Sequence, residues 1–302
     1  MTDAVIRPIA LPGRLQRLHE GSALPLAVVI AAVIVLWYLG AIWLNSGLVE
    51  QRLEHPTAIE FVDAAWSLER PVLPAPHQVA IEFYQSVFER EIDSPRSLVY
   101  HAYVTGSAAV VGFLFGTLLG ILLSLGIVRW RTLDRSLLPW IIASQTIPIL
   151  AIAPMIIVVL GNLGLTGLMP KAVISMYLCF FPVTIGMVKG LRSPDPLQLD
   201  LMRTYSATPG QLFWKLRWPA SIAFLFASLK VAIAISLVGA IVGELPTGAQ
   251  EGLGARLLSG SYYGQTIQIW SALFMAALLG MVLVAAVGLV ERLTLRHMGA
   301  AR

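Results

Sequence analysis

Residues 190–221 read GLRSPDPLQLDLMRTYSATPGQLFWKLRWPAS, the longest polar interruption in the second half of a strongly apolar chain. Asp195-Pro196-Leu197-Gln198 places an acid at a helix N-cap, a proline at the first helical position and a glutamine three residues after the acid, which is a capping box. Thr208-Pro209-Gly210-Gln211 repeats the arrangement one short helix later. The spacing predicts two short helices joined by a turn. Along the first, Leu197, Leu201, Met202 and Tyr205 share one face, while Gln198, Asp200 and Arg203 lie towards the other. Pro219 then opens another long apolar run. A capped pair held between two such runs is either a rigid docking element or an ordinary capped loop, and capping alone leaves both open.

Outward from this stretch, the composition is not that of a soluble globular protein. The 302 residues are 57% hydrophobic and 13% charged. Several apolar runs reach the roughly 20 residues needed to cross a bilayer core, so the chain is expected to be an all-α, polytopic membrane protein. Six spans are expected, at about 25–44, 103–128, 137–160, 172–188, 219–242 and 269–290. The first is of spanning length with no small-residue cleavage site after it, which fits an uncleaved span. The chain divides into a tail (1–22), a first span with an acidic segment (23–98), a core of five spans (99–292) including 190–221, and a second tail (293–302). In the acidic segment Val79, Phe83 and Val87 recur at helical spacing with Ile81 and Phe88 alongside, which predicts an amphipathic helix.

Within the spans a few residues stand out. Gly112, Gly116, Gly120 and Ser124 make a small-residue stripe that lets another helix approach closely, in this chain or in a second copy. Pro139, Pro148 and Pro154 interrupt the hydrogen-bond ladder of the third span, with Gln145 and Thr146 beside Pro148. Gln145, Thr146, Pro148 and Thr184 are candidates for lining a pathway; a kinked packing helix with satisfied polar groups accounts for the break equally well. Lys230 is the one well-embedded charge, to be read as a point charge on a pathway or as a snorkelling lysine. Glu244, at the far end of the same run, is expected at a pathway mouth or against an external partner, with Gln250 and Glu251 close by; a solvated helix-end acid is the simpler account.

Charge sets the orientation. The first tail, the loop after span two, the 190–221 region and the last tail together hold 14 Lys/Arg, against six in the alternate loops. Six spans with both termini cytoplasmic satisfy this asymmetry, and they put 190–221 in the cytoplasm and the acidic segment outside.

The same stretch resembles the permeases of ATP-binding-cassette importers. Asp200-Leu201-Met202, Ser206 and Trp218-Pro219 stand where those proteins carry the Glu-Ala-Ala, Gly and Leu-Pro of their cytoplasmic coupling loop. From about Leu73 onward the chain is similar to the nitrate, sulfonate, taurine and pyrimidine-precursor branch, including Leu73, Pro74 and Pro76 of a Leu-Pro-x-Pro segment. Asp200 is one methylene shorter than the family Glu, and Ser206 replaces the Gly. The resemblance implies a type I importer permease fold in a bacterial plasma (inner) membrane. It implies Asp200, Leu201, Met202, Arg203, Tyr205, Ser206, Ala207, Pro209 and Gly210 as the surface coupled to a separate cytoplasmic ATPase that uses ATP and Mg. It also implies a second permease subunit, identical or related, and an external substrate-binding protein, with membrane lipid around the spans. The solute would be a small oxyanion, a sulfonate or a heterocycle.

Several function classes are disfavoured by what is missing. There is no Gly-x-x-x-x-Gly-Lys-Ser/Thr loop, so this chain is expected to bind no ATP itself, and no catalytic constellation or metal-ligand spacing can be assembled. Cys179 is a lone cysteine in an apolar run and reads as a small hydrophobe. The net charge of +4 comes from short blocks beside spans without an aromatic-interleaved basic surface, which gives no nucleic-acid signal. The alternative to an ATP-driven permease is an ion-coupled secondary carrier, which usually keeps acids within its spans.

Overall fold

The computed structural model describes residues 23–246 and 251–298. The expected tail 1–22, Gln250 and the last four residues lie outside the described residues. Among the described residues every regular element is helical, and residues 1–81 and 82–302 form two compact units.

The first unit holds α1 (Ala23–Glu50) and α2 (Ala58–Ser67). Asn45 organises it. Its fully buried amide donates to the Ala65 and Leu73 carbonyls, both at 3.0 Å, and accepts from the Val72 and Leu73 amides at 2.8 and 3.3 Å. With donors and acceptor all used, a polar side chain is accommodated against an apolar helix. Trp37 Nε1 donates to the Pro74 carbonyl at 2.9 Å, so the Leu-Pro-x-Pro segment is pinned along α1. α1 therefore runs past residue 44, where the apolar run ends, and α2 is an element that the apolar pattern does not reveal. Its start is a local signal: Thr57 and Glu60 form a reciprocal capping box.

α3 (Pro76–Tyr84) leads into a π-turn at Gln85–Glu89. Phe83 and Val87 pack against a core of Leu98, Leu253, Ala272, Met275 and Ala276, while Ile81 and Phe88 stay exposed. The second unit continues with α4 (Leu98–Arg129), α5 (Arg131–Ser144), α6 (Ile149–Asn162), α7 (Leu168–Leu191), α8 (Pro196–Thr204), α9 (Pro209–Leu212), α10 (Trp218–Glu244), α11 (Leu253–Tyr262) and α12 (Thr266–His297).

α4, α7 and α10 are joined by seams of small residues. A Cβ on Gly112 or Gly116 would collide with Ser175 or Cys179, and one on Gly120 would lie 2.8 Å from the Val183 Cβ. The glycine stripe of α4 therefore has its partner in this chain, on α7, and Cys179 is the small group that lets the backbones meet. Gly190 and Gly239 do the same between α7 and α10, where a Cβ would stand 2.8 Å from the Cα of Ser221 and of Ser175 respectively. Interhelical hydrogen bonds accompany the contacts: Ser236 Oγ donates to the Ala109 carbonyl at 2.7 Å, and Ser175 Oγ to the Ser236 carbonyl at 2.9 Å. Close backbones and buried hydroxyls are what hold helices together where the surroundings are as apolar as the side chains.

The third expected span is not one rod. α5 and α6 meet at an angle of 99°. The chain turns at residues 145–148, and Pro148, with no N–H to continue a ladder, stands just before α6. Pro139 and Pro154 lie inside helices that continue through them. Among the described residues five helices are long and apolar enough to cross a membrane on their own, and a sixth span exists if the bent pair is counted as one.

Candidate functional site

The 190–221 stretch folds as its capping signals direct. Asp195 Oδ1 accepts from the Leu197 amide at 2.7 Å, and Gln198 Oε1 accepts from the Asp195 amide at 3.3 Å. Thr208 and Gln211 repeat the box at the start of α9. The end of α8 is equally well defined. The Ser206 amide donates to the Arg203 carbonyl at 2.8 Å and the Ala207 amide to the Met202 carbonyl at 3.0 Å, the paired bonds of a Schellman motif. Ser206 takes the left-handed position at φ 50°. After α9 a π-turn over Phe213–Arg217 carries the helix into α10 without a break. Phe213, Trp214 and Trp218 cluster at this base in edge-on and tilted contacts, with ring centroids 5.0–6.0 Å apart.

α8 presents a row of exposed apolar side chains at four-residue spacing: Leu197 (77% exposed), Leu201 (56%) and Tyr205 (77%). Beside it Arg203 and Asp200 form an ion pair at 2.9 Å, with both groups in solvent. Pro209 and Gly210 are exposed on α9. Met202 does not belong to the row. It turns inward and shares a small cavity with Leu199, Arg203, Ala207, Leu212 and Arg217. A helical step of 100° separates it from Leu201, enough to move it from the outer to the inner face.

A second polar centre lies at the opposite ends of α4, α7 and α10. Glu244, the last residue of α10, is 0% exposed. Its carboxylate accepts from Thr105 Oγ1 at 2.9 Å, from the Gly254 amide at 2.7 Å and from Lys171 Nζ at 3.4 Å. The Lys171 ammonium also donates to the Glu251 carbonyl at 3.2 Å, and Thr105 Oγ1 accepts from the Leu253 amide at 2.8 Å. His101 completes the cluster: its Nδ1 accepts from the Gly252 amide at 2.9 Å, so Nε2 carries the proton and donates to the Pro95 carbonyl at 2.8 Å. Glycine is needed at two places. Gly252 has φ 115°, and a Cβ there would run into the Glu244 carboxylate; a Cβ on Gly254 would meet the Ile241 carbonyl. Four side chains from three helices thus fix the backbone of 251–254 and with it the start of α11.

Glu244 is not the solvated helix-end acid of the simpler account, because its carboxylate has no exposed surface in this chain. Glu251 is exposed, and Gln250 lies outside the described residues. Thr184 is fully buried, with Oγ1 donating to the Phe180 carbonyl of its own helix at 2.8 Å. Thr146 and Pro148 are exposed and Gln145 half-buried at the α5–α6 turn. Thr146 Oγ1 donates to the Ala143 carbonyl at 2.8 Å, and Gln145 Nε2 to Ser144 Oγ at 3.2 Å. Lys230 pairs with Glu291 of α12. Sequence reading missed the roles of Lys171, Thr105 and His101, although topology held a signal. Lys171 begins one apolar run and Glu244 ends the next, which crosses back in the opposite direction, so both arrive at one end of the bundle.

The family model described as "Binding-protein-dependent transport system inner membrane component" matches residues 112–298. The chain belongs to this family. The match takes in the seam glycines, the α8–α9 pair, Lys171, Glu244 and both glycines of the polar cluster. The formylaminopyrimidine transport permease protein ThiX of Halalkalibacterium halodurans is 32% identical over 227 residues, covering 74% of this chain and 85% of the relative. The riboflavin transport system permease protein RibX of Chloroflexus aurantiacus is 32% identical over 225 residues, covering 74% and 80%. The putative aliphatic sulfonates transport permease protein SsuC of Bacillus subtilis is 24% identical, covering 74% and 78%. The protein is therefore the membrane permease subunit of an ATP-binding-cassette transporter for a small solute, a multi-pass protein of the inner membrane. It is a transport subunit and not an enzyme; ATP is used by a separate ATPase subunit, and an ion-coupled carrier is set aside. Family membership brings with it an ATPase and a substrate-binding protein as partners.

Proposed function

We propose that the α8–α9 pair is the surface through which the cytoplasmic ATPase works this permease. Two permease subunits, identical or closely related, pack around the pathway, with both termini in the cytoplasm. The observation that carries the reading is the exposed row Leu197, Leu201 and Tyr205 beside the Asp200–Arg203 pair, on helices capped at their starts and locked at the turn between them. An apolar strip flanked by charge is the usual make-up of a helix that beds into a groove. Closure of the ATPases moves the pair as a rigid lever, and its unbroken run into α10 passes the movement to the spans. At the other end an external binding protein docks over exposed Glu251, Tyr262 and Tyr263 and delivers the solute. The pathway passes the α5–α6 turn with Gln145, Thr146 and Pro148, and the Lys230–Glu291 pair adjusts as the spans rearrange. The relatives at 32% identity are named for formylaminopyrimidine and riboflavin, both nitrogen heterocycles, and that is the substrate class assigned here.

The test uses the assembled transporter. Leu201→Asp puts a charge into the row and is expected to weaken ATPase retention tenfold or more, the order of magnitude for spoiling a central interface anchor. Asp200→Ala or Arg203→Ala is expected to leave membrane insertion intact and to uncouple ATP hydrolysis from uptake. Normal coupled transport in all three variants, or labelling of a cysteine at position 201 from the external side, would overturn the reading.

A further inference from the structure

The end of the bundle that carries the α8–α9 pair also holds a cavity of about 420 Å³. Its wall includes Leu125, Val128, Leu191 and Phe213 together with two cations, Arg129 and Arg217, and no carboxylate lines it. Two other arginines on this end have acids, Arg192 with Asp134 at 3.0 Å and Arg203 with Asp200 at 2.9 Å, while Arg131 and Arg135 have no ion pair among the described residues and lie outside the cavity wall. Arg129 and Arg217 have no ion pair among the described residues, and Arg217 Nε is buried without a hydrogen-bond partner. A buried guanidinium nitrogen left unpaired is costly unless something arrives to accept from it. The wall's chemistry narrows what arrives: an anion for the two guanidinium groups, attached to something apolar for the Leu–Val–Phe side.

Depth in the membrane supplies the second argument. Arg129 is the last residue of α4, with its guanidinium 6.0 Å from the ring centre of Trp130. Trp130 and Trp214, adjacent in sequence to wall residues, are exposed. Exposed indoles next to arginines at the ends of spanning helices mark the headgroup level of a bilayer. Basic pockets between helices at that level suit the phosphate groups of lipids.

We propose that this cavity binds an anionic phospholipid, its phosphate held by Arg129 and Arg217 and an acyl chain laid along Leu125, Val128 and Phe213. Pro209 and Leu212 of α9 form part of the same wall, so the lipid braces the base of the α8–α9 pair. The inference needs only that this end lies at headgroup level, whichever leaflet it meets, and it stands apart from the assignment of the ATPase surface.

Native mass spectrometry of the permease–ATPase complex tests it, with the complex equilibrated against micelles containing phosphatidylglycerol or phosphatidylcholine, or against inorganic phosphate alone. The expected result is retention of phosphatidylglycerol over phosphatidylcholine. Arg129→Gln and Arg217→Gln should each weaken it about fivefold, the effect of one basic residue on anionic lipid. Arg217→Lys, which keeps the charge, should retain most of the binding and guards against simple misfolding, and Arg52→Gln should change nothing. Unchanged phosphatidylglycerol retention in the double glutamine variant would overturn the proposal. So would full displacement by millimolar inorganic phosphate, which makes the site one for free phosphate. Loss of the ATPase from Arg217→Gln with lipid retention intact would also overturn it, because the cavity then receives a protein carboxylate.

Discussion

Ser206→Gly makes a sharp test of the local physics at the α8–α9 turn. Ser206 occupies the residue after the C-cap of α8 with φ 50°, a conformation in which an L side chain crowds its own backbone at a cost of roughly 1–2 kcal/mol. Glycine removes that cost but brings more freedom in the open state, worth roughly 0.5–1 kcal/mol against it. The net gain is about 0.5–1 kcal/mol, a two- to fivefold shift in the local opening equilibrium at roughly 1.4 kcal/mol per factor of ten. The serine hydroxyl makes no hydrogen bond among the described residues, so its removal adds no further loss. The readout is hydrogen exchange at the Ser206 and Ala207 amides, whose bonds to the Arg203 and Met202 carbonyls define the turn. Exchange in Ser206→Gly should slow two- to fivefold, and Ser206→Val, with a branched Cβ in the same conformation, should speed it. Equal or faster exchange in the glycine variant, or slower exchange in the valine one, would refute the reasoning.

Glu244→Ala leaves the Lys171 ammonium and the Gly254 amide without their buried acceptor and should lower stability by about 3–5 kcal/mol. The double variant Glu244→Met with Lys171→Met should lose less than the two single losses together. Thermal unfolding of the purified permease measures both, and strict additivity would count against a coupled pair. In α2 the Thr57 backbone and hydroxyl donate to Glu60 and hold its carboxyl below the usual carboxylate range. A depressed acid stabilises above its unfolded pKa and loses that contribution as the pH falls through the folded one. The protection of the first turn of α2, measured against the intrinsic exchange rate at each pH, should therefore weaken as the pH drops below about 4, the region of an ordinary glutamate, and Glu60→Gln should show a weaker pH dependence.

Much of the architecture can be read from local chemistry. The capping boxes at Asp195 and Thr208 depend on residues three apart, and both form where the spacing puts them. Ser206 in place of glycine points to a strained turn, and the turn is left-handed. Features set by distant partners are less legible. The glycine stripe announces a close helix, but only the fold shows that Ser175, Cys179 and Val183 of the same chain fill it. Three prolines in 137–160 are equivalent in sequence, yet the chain turns sharply only ahead of Pro148. Glu244 looks like a helix-end acid because its partners Lys171 and Thr105 lie 73 and 139 residues away. Met202 and Leu201 are neighbours in an apolar pattern, and burial alone separates the inner from the outer one.

The toothed fit of α4, α7 and α10 has a mechanical meaning. Where glycine backbones touch serine and cysteine with no room for one more carbon, there is no slack to absorb a displacement, and packed interiors compress very little. A shove delivered at Trp218 travels the 27 residues of α10, about 40 Å of helix, and emerges beside Glu244 largely undiminished. On the lever reading proposed above, the three helices act as one push-rod, and whatever gives way during a cycle must do so at its borders.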